Sequence, residues 1–74
     1  MAKAARRFVI CVENSGYEVS LERRKIYISI PDAKAERLGH VRVIESGSDY
    51  LYPKSGFVEV VLPQPIRRAI LYAA

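Results

Sequence analysis

The stretch Leu51-Tyr52-Pro53-Lys54-Ser55-Gly56-Phe57-Val58-Glu59-Val60-Val61 decides the fold. It joins a short apolar strand to a second one through a proline stop and a tight polar turn. Pro53 ends the first strand because it has no backbone donor for a ladder. Lys54-Ser55-Gly56 supplies turn chemistry. Phe57 to Leu62 is rich in β-branched and aromatic residues, as strands prefer. A small antiparallel β-barrel closes in this manner.

Working outward, the same grammar recurs. Phe8-Val9-Ile10-Cys11-Val12 reads as a first strand, with Phe8, Ile10 and Val12 on one face and Val9 and Cys11 on the other. Glu13-Asn14-Ser15-Gly16 is a turn. Tyr17 to Leu21 is irregular or extended, and Val19 and Leu21 are expected in the core. Lys25-Ile26-Tyr27-Ile28-Ser29-Ile30 alternates strictly, so Ile26, Ile28 and Ile30 are expected to face the core and Tyr27 the solvent. Pro31 stops that strand. Asp32 to Leu38 reads as a short helix, with Asp32 as N-cap, Gly39 just past its end, and Ala35 and Leu38 facing inward. Val41 to Ile44 forms a strand, Glu45 to Asp49 a hairpin loop, and Tyr50-Leu51-Tyr52 the return. Leu51 is expected inside, which turns Tyr50 and Tyr52 outward. After Pro63-Gln64-Pro65, Ile66 to Ala73 forms a helix with Ile66, Ala69, Ile70 and Ala73 on one stripe.

Five short strands with polar turns and no long crossover predict a mainly β chain, a five-stranded antiparallel barrel with two short helices. At 74 residues the chain is expected to be one domain over 1–74, with a flexible start over 1–6 and the C-terminal helix over 65–74.

Two stretches carry a resemblance. Val19-Ser20-Leu21-Glu22-Arg23-Arg24-Lys25-Ile26-Tyr27-Ile28-Ser29-Ile30 resembles the segment that ends the long first loop of SH3 domains and opens their next strand. Leu51 to Val61 resembles their closing Leu-Phe-Pro-Ser-Asn-Tyr-Val-Glu-Val-Ile, with one extra residue in the turn. The resemblance implies an SH3-like barrel that recognises a protein partner. Pro53 and Phe57 match the proline and aromatic positions of the SH3 peptide groove. The departures are the lack of tryptophan and a first loop whose acidic residues before Leu21 are Glu13 and Glu18 alone. The pattern is also similar to small SH3-like bacterial proteins of this length that carry no assigned activity.

Twelve Lys/Arg stand against eight Asp/Glu, a net charge of +4. The basic residues cluster at Arg6-Arg7, Arg23-Arg24-Lys25 and Arg67-Arg68. If the clusters converge they form a surface for nucleic-acid backbone. Tyr27, Tyr50, Tyr52, Pro53 and Phe57 form the alternative feature, an aromatic strip for a protein partner.

One cysteine excludes an internal disulfide. Cys11, between Ile10 and Val12, reads as a small buried hydrophobe. A lone His40 makes no metal site, and Glu45 and Asp49 flank an ordinary turn. No phosphate loop, nucleophile elbow or dinucleotide fingerprint is present, so no enzyme activity, cofactor or metal is expected. The apolar run at Phe8–Val12 is too short for a secretory core or a membrane span. The expectation is a cytoplasmic, non-catalytic interaction module. Its partner is a protein or, alternatively, RNA or DNA, with self-association available through the C-terminal helix.

Overall fold

In the computed structural model, which describes residues 6–73, five antiparallel strands form one sheet: β1 (Arg7–Cys11), β2 (Ile26–Ile30), β3 (His40–Glu45), β4 (Ser48–Pro53) and β5 (Phe57–Val60). Their order is β4-β3-β2-β1-β5. Helix α1 (Ala33–Arg37) links β2 to β3, a 3-10 turn (Lys54–Gly56) links β4 to β5, and α2 (Gln64–Ala73) follows the sheet. Of the expected flexible start, residues 1–5 lie outside the described residues and Arg6 is exposed. Ala74 also lies outside them.

The five antiparallel strands are as expected, but the sheet is open, with β4 and β5 as unpaired edges, and does not close into the expected barrel. Two backbone contacts fasten the β4–β5 link instead of a ladder. The Lys54 N–H donates to the Gly39 carbonyl at 2.9 Å. The Gly56 carbonyl accepts from Val12 N–H at 2.9 Å and from Glu13 N–H at 3.3 Å.

Register assigns every strand residue a face, because strand side chains alternate. Val9 lies opposite Tyr27, Ser29 opposite Val43, Val41 opposite Tyr52, and Cys11 opposite Phe57. These residues belong to the inner face. Val9, Cys11, Leu21, Tyr27, Val43 and Tyr52 form its buried cluster, with Val41 and Phe57 packed against them. On the outer face Phe8 pairs with Ile28 and Val60, Ile28 with Ile44, and Ile10 with Ile26 and Val58.

That arrangement corrects several sequence expectations. Tyr27, expected outside, is 5% exposed on the inner face, and Ile26, Ile28 and Ile30 take the outer one. The reason is that both faces of the sheet are apolar, so strict alternation of Ile does not say which side is the main core. Tyr27 fits inside because its hydroxyl reaches the rim, where it accepts the Glu22 N–H at 2.9 Å. Tyr52, also expected outside, is 5% exposed, and its hydroxyl donates to Ser20 Oγ at 3.3 Å. Leu51, its neighbour, is accordingly turned outward on an edge strand and exposed.

Leu21 is buried as expected, whereas Val19 stands fully exposed at the tip of the β1–β2 loop. Asp32 caps α1 through the Ala35 N–H at 3.0 Å, and Gly39 follows the helix at φ +81°. Ala35 is buried, but the five-residue α1 ends before a second turn could bring Leu38 inward, and Leu38 is exposed. The β3–β4 turn is tighter than expected. Glu45 pairs with Ser48, leaving Ser46 and Gly47, both at positive φ, as a two-residue hairpin turn.

Helix α2 starts at Gln64, with the Pro63 carbonyl accepting from Ile66 and Arg67 N–H at 3.0 Å each. It lies on the outer face. The Arg67 guanidinium sits 5.0 Å from the centre of the Phe8 ring. Arg67, Ile70 and Leu71 are half-buried, whereas Ile66 and Ala69 are exposed. The stripe facing the sheet is therefore rotated from the expected one: of Ile66, Ala69 and Ile70 it keeps Ile70, and the side chain of Ala73 lies outside the described ones. The aliphatic stem and flat head of Arg67 cover Phe8 in place of an apolar residue.

Candidate functional site

The β1–β2 loop folds back on itself. The Asn14 side-chain amide donates to the Leu21 carbonyl at 2.9 Å, and the Leu21 N–H donates to the Tyr17 carbonyl at 2.8 Å. Leu21, 2% exposed, anchors the loop in the core. The loop thereby holds Glu13, Ser15 and Tyr17 across from the 3-10 turn. Between them lies a groove of about 120 Å³, walled by Tyr17, Tyr52, Pro53, Ser55 and Phe57 and flanked by Glu13.

The rings are fixed against one another. Tyr17 meets Tyr52 edge-on at 5.4 Å between centres and 86° between planes. Tyr52 lies 6.1 Å from Phe57, and Phe57 lies 6.3 Å from Tyr27. Such a volume is well below the roughly 300–1,000 Å³ of cofactor or drug-sized sites. It suits one or two side chains of an extended segment. Glu13 accepts hydrogen bonds from the Ser15 hydroxyl and the Ser15 N–H, and these hold its carboxyl below the usual carboxylate range. The carboxylate therefore stays charged at the groove's rim.

Of the expected aromatic strip, the structure brings Tyr52, Pro53 and Phe57 together. Tyr27 is a buried support behind Phe57. Tyr50, 48% exposed, lies 6.4 Å from Tyr52 outside the groove lining. Tyr17 and Glu13 were absent from the expected strip. Their signal was the Glu13-to-Leu21 loop, whose turn residues and buried Leu21 bring Tyr17 back onto Tyr52.

The basic clusters are divided. Arg6 precedes β1 and Arg7 opens it, while Arg23, Arg24 and Lys25 sit at the turn beyond its other end. The length of β1 separates them by about 13 Å at strand rise. Arg7 faces Glu36 at 3.7 Å. Lys25 pairs with Glu22 at 3.4 Å and lies 5.2 Å from the Tyr27 ring centre. Arg67 is spent on Phe8, and Arg68 is exposed on α2. Arg42 bridges Asp32 and Asp49 at 2.8 Å each, tying α1, β3 and β4 together.

Cys11 is fully buried, and burial pushes its thiol pKa up. His40 is half-buried at the start of β3. No group of three or more His, Cys, Asp or Glu side chains that could hold a metal ion occurs among the described residues. No helix among them is long and apolar enough to cross a membrane. The chain matches no protein family, no curated protein and no solved structure.

Proposed function

We propose that this chain is a non-catalytic interaction module of SH3-like barrel type that holds an extended segment of a protein partner. The observation that carries the reading is the groove between the β1–β2 loop and the 3-10 turn, with Tyr17, Tyr52, Pro53 and Phe57 as its walls. Flat rings offer contact area with little rotamer entropy to lose, and small ring-lined slots suit the side chains of an extended chain. The SH3-like type is supported by the 3-10 turn between the last two strands, in keeping with the resemblance of residues 51–61, although the sheet is open and not closed into a barrel. We read the chain as cytoplasmic on its single free cysteine, which needs no oxidising compartment.

A nucleic-acid surface is the competing reading. It is weakened by the division of the basic clusters and by the carboxylates paired with Arg7 and Lys25.

The test is selection from a displayed peptide library, followed by titration of the selected peptides by amide-resonance shifts. Binding should map to Tyr17, Ser55 and Phe57, weaken at least about tenfold in Tyr17→Ala, as loss of an aromatic anchor does, and change little with salt. Failure to select any peptide, or selected peptides indifferent to Tyr17→Ala, refutes the groove. RNA or DNA binding that falls steeply with salt would transfer the function to the basic residues.

A further inference from the structure

A second cavity, of about 90 Å³, lies at the end of the inner face where β1 begins and β2 ends. Arg7, Ser29 and Glu59 bring polar side chains to it from three adjacent strands. Register places all three on the inner face. Arg7 lies opposite Ser29, and Val9, two residues along β1, lies opposite Glu59. Glu36 of α1 and Lys54 of the 3-10 turn stand at the same cavity, and Val9, Val41 and Phe57 are part of its apolar lining. Ser29 is 3% exposed. Its side chain takes part in no hydrogen bond among the described residues. No fully enclosed side-chain nitrogen or oxygen among them lacks a partner, so the Ser29 Oγ reaches the cavity it lines. A hydroxyl buried without a partner is costly. This one is therefore aimed at whatever fills the cavity.

The charges around the cavity balance, but they are not all paired. Arg7 and Glu36 face each other at 3.7 Å, and Glu36 also accepts the Asp32 N–H at 3.5 Å. Among the described residues Lys54 has no acidic partner and Glu59 no basic one. The cavity thus offers one free charge of each sign. A simple anion would meet Glu59, and a simple cation would meet Lys54. A ligand carrying both signs a few bonds apart satisfies both. We infer that the cavity binds a small zwitterionic α-amino acid, of the size of glycine or alanine. Its carboxylate accepts from the Lys54 ammonium and the Ser29 hydroxyl, with Arg7 adding positive charge. Its ammonium donates to the Glu59 carboxylate. Such charge-assisted hydrogen bonds are the strong ones. The volume admits several water-sized groups. The head group and a methyl fit, and a long side chain does not. Phe57 alone lines both this cavity and the peptide groove, so the inference does not rest on the peptide reading.

Titration of the full chain with glycine and with alanine, followed by amide-resonance shifts at constant ionic strength, tests the inference. Saturable shifts should map to Arg7, Ser29, Lys54 and Glu59 and spare Tyr17. Acetate and methylammonium, which each carry one half of the charge pattern, should bind at least about tenfold more weakly than glycine, as loss of a hydrogen bond to a charged group does. Lys54→Ala and Glu59→Gln should each weaken glycine by a similar factor. Both side chains belong to exposed residues, so thermal melts of the two variants should match the parent's. Tyr17→Ala, which is expected to weaken peptide binding, should leave glycine binding unchanged, so the two readings fail separately. Absence of saturable shifts up to high millimolar glycine or alanine overturns the proposal. So does acetate binding as tightly as glycine, which would make the cavity an anion site only. Glycine binding indifferent to both Lys54→Ala and Glu59→Gln overturns it as well.

Discussion

Replacing Gly56 by alanine should destabilise the fold far more than its small size implies. A Cβ at this position would stand 2.7 Å from the Glu13 carbonyl oxygen, closer than real Cβ atoms come to anything. That oxygen belongs to backbone, so no side chain can swing aside. The contact is tight because the Gly56 carbonyl accepts both Val12 and Glu13 N–H groups, clamping the base of the β1–β2 loop to the 3-10 turn. Overpacking of this kind costs about 1–3 kcal/mol. Loss of one of the two hydrogen bonds adds about 1 kcal/mol. Together they come to roughly 2–4 kcal/mol, against a total of roughly 4–11 kcal/mol for a chain of 74 residues. In a urea titration with a slope near 1 kcal/mol/M, the midpoint should fall by about 2 M or more. Gly47→Ala is the control. Gly47 has φ +83° and nothing within 4 Å, so it pays only the left-handed backbone cost of about 1 kcal/mol. Because Glu13 and Gly56 also line the groove, peptide affinity should fall with Gly56→Ala and stay unchanged with Gly47→Ala. A Gly56→Ala midpoint equal to or above that of Gly47→Ala would refute the clamp.

Leu21→Ala should cost about 2–5 kcal/mol and Val19→Ala under about 0.5 kcal/mol by the same titration, since one is buried and the other fully exposed. Asp32 has its pKa held down by the Ala35 N–H and then by Arg42. A lowered folded pKa gives stability that is complete at neutral pH and is lost as pH falls from the ordinary Asp value of about 3.9 through the folded one. Asp32→Asn, which can still cap α1, should flatten that acid limb in thermal melts from neutral to acid pH; an unchanged limb would count against it. Cys11 should resist alkylation in the folded protein and react at an ordinary rate in denaturant, followed by mass spectrometry. Fast labelling of the native chain would contradict its burial.

The local grammar was legible from the residues. Turn chemistry and proline stops marked the five strands, Asp32 and Gly39 bounded α1, and the pattern Pro53–Phe57 placed the 3-10 turn and the last strand. These are short-range effects, because each depends on backbone donors or φ values of a few adjacent residues. The division of the chain into inside and outside was not legible. Ile26, Ile28 and Ile30 alternate as a core face should, yet the sheet has α2 on that side and the larger buried cluster on the other. Tyr27 and Tyr52 could be taken for surface rings because a hydroxyl is polar. Tertiary packing buried their rings while leaving each hydroxyl a rim partner, Glu22 N–H and Ser20 Oγ, 5 and 32 residues away in the chain. Half of the candidate groove was likewise visible as Pro53 and Phe57. The other half, Glu13 and Tyr17, reaches it only because Leu21 pulls the β1–β2 loop into the core. Alternation and turn residues are set by neighbours in the chain. Which face is covered, and which rings meet, is set by what folds back over the sheet.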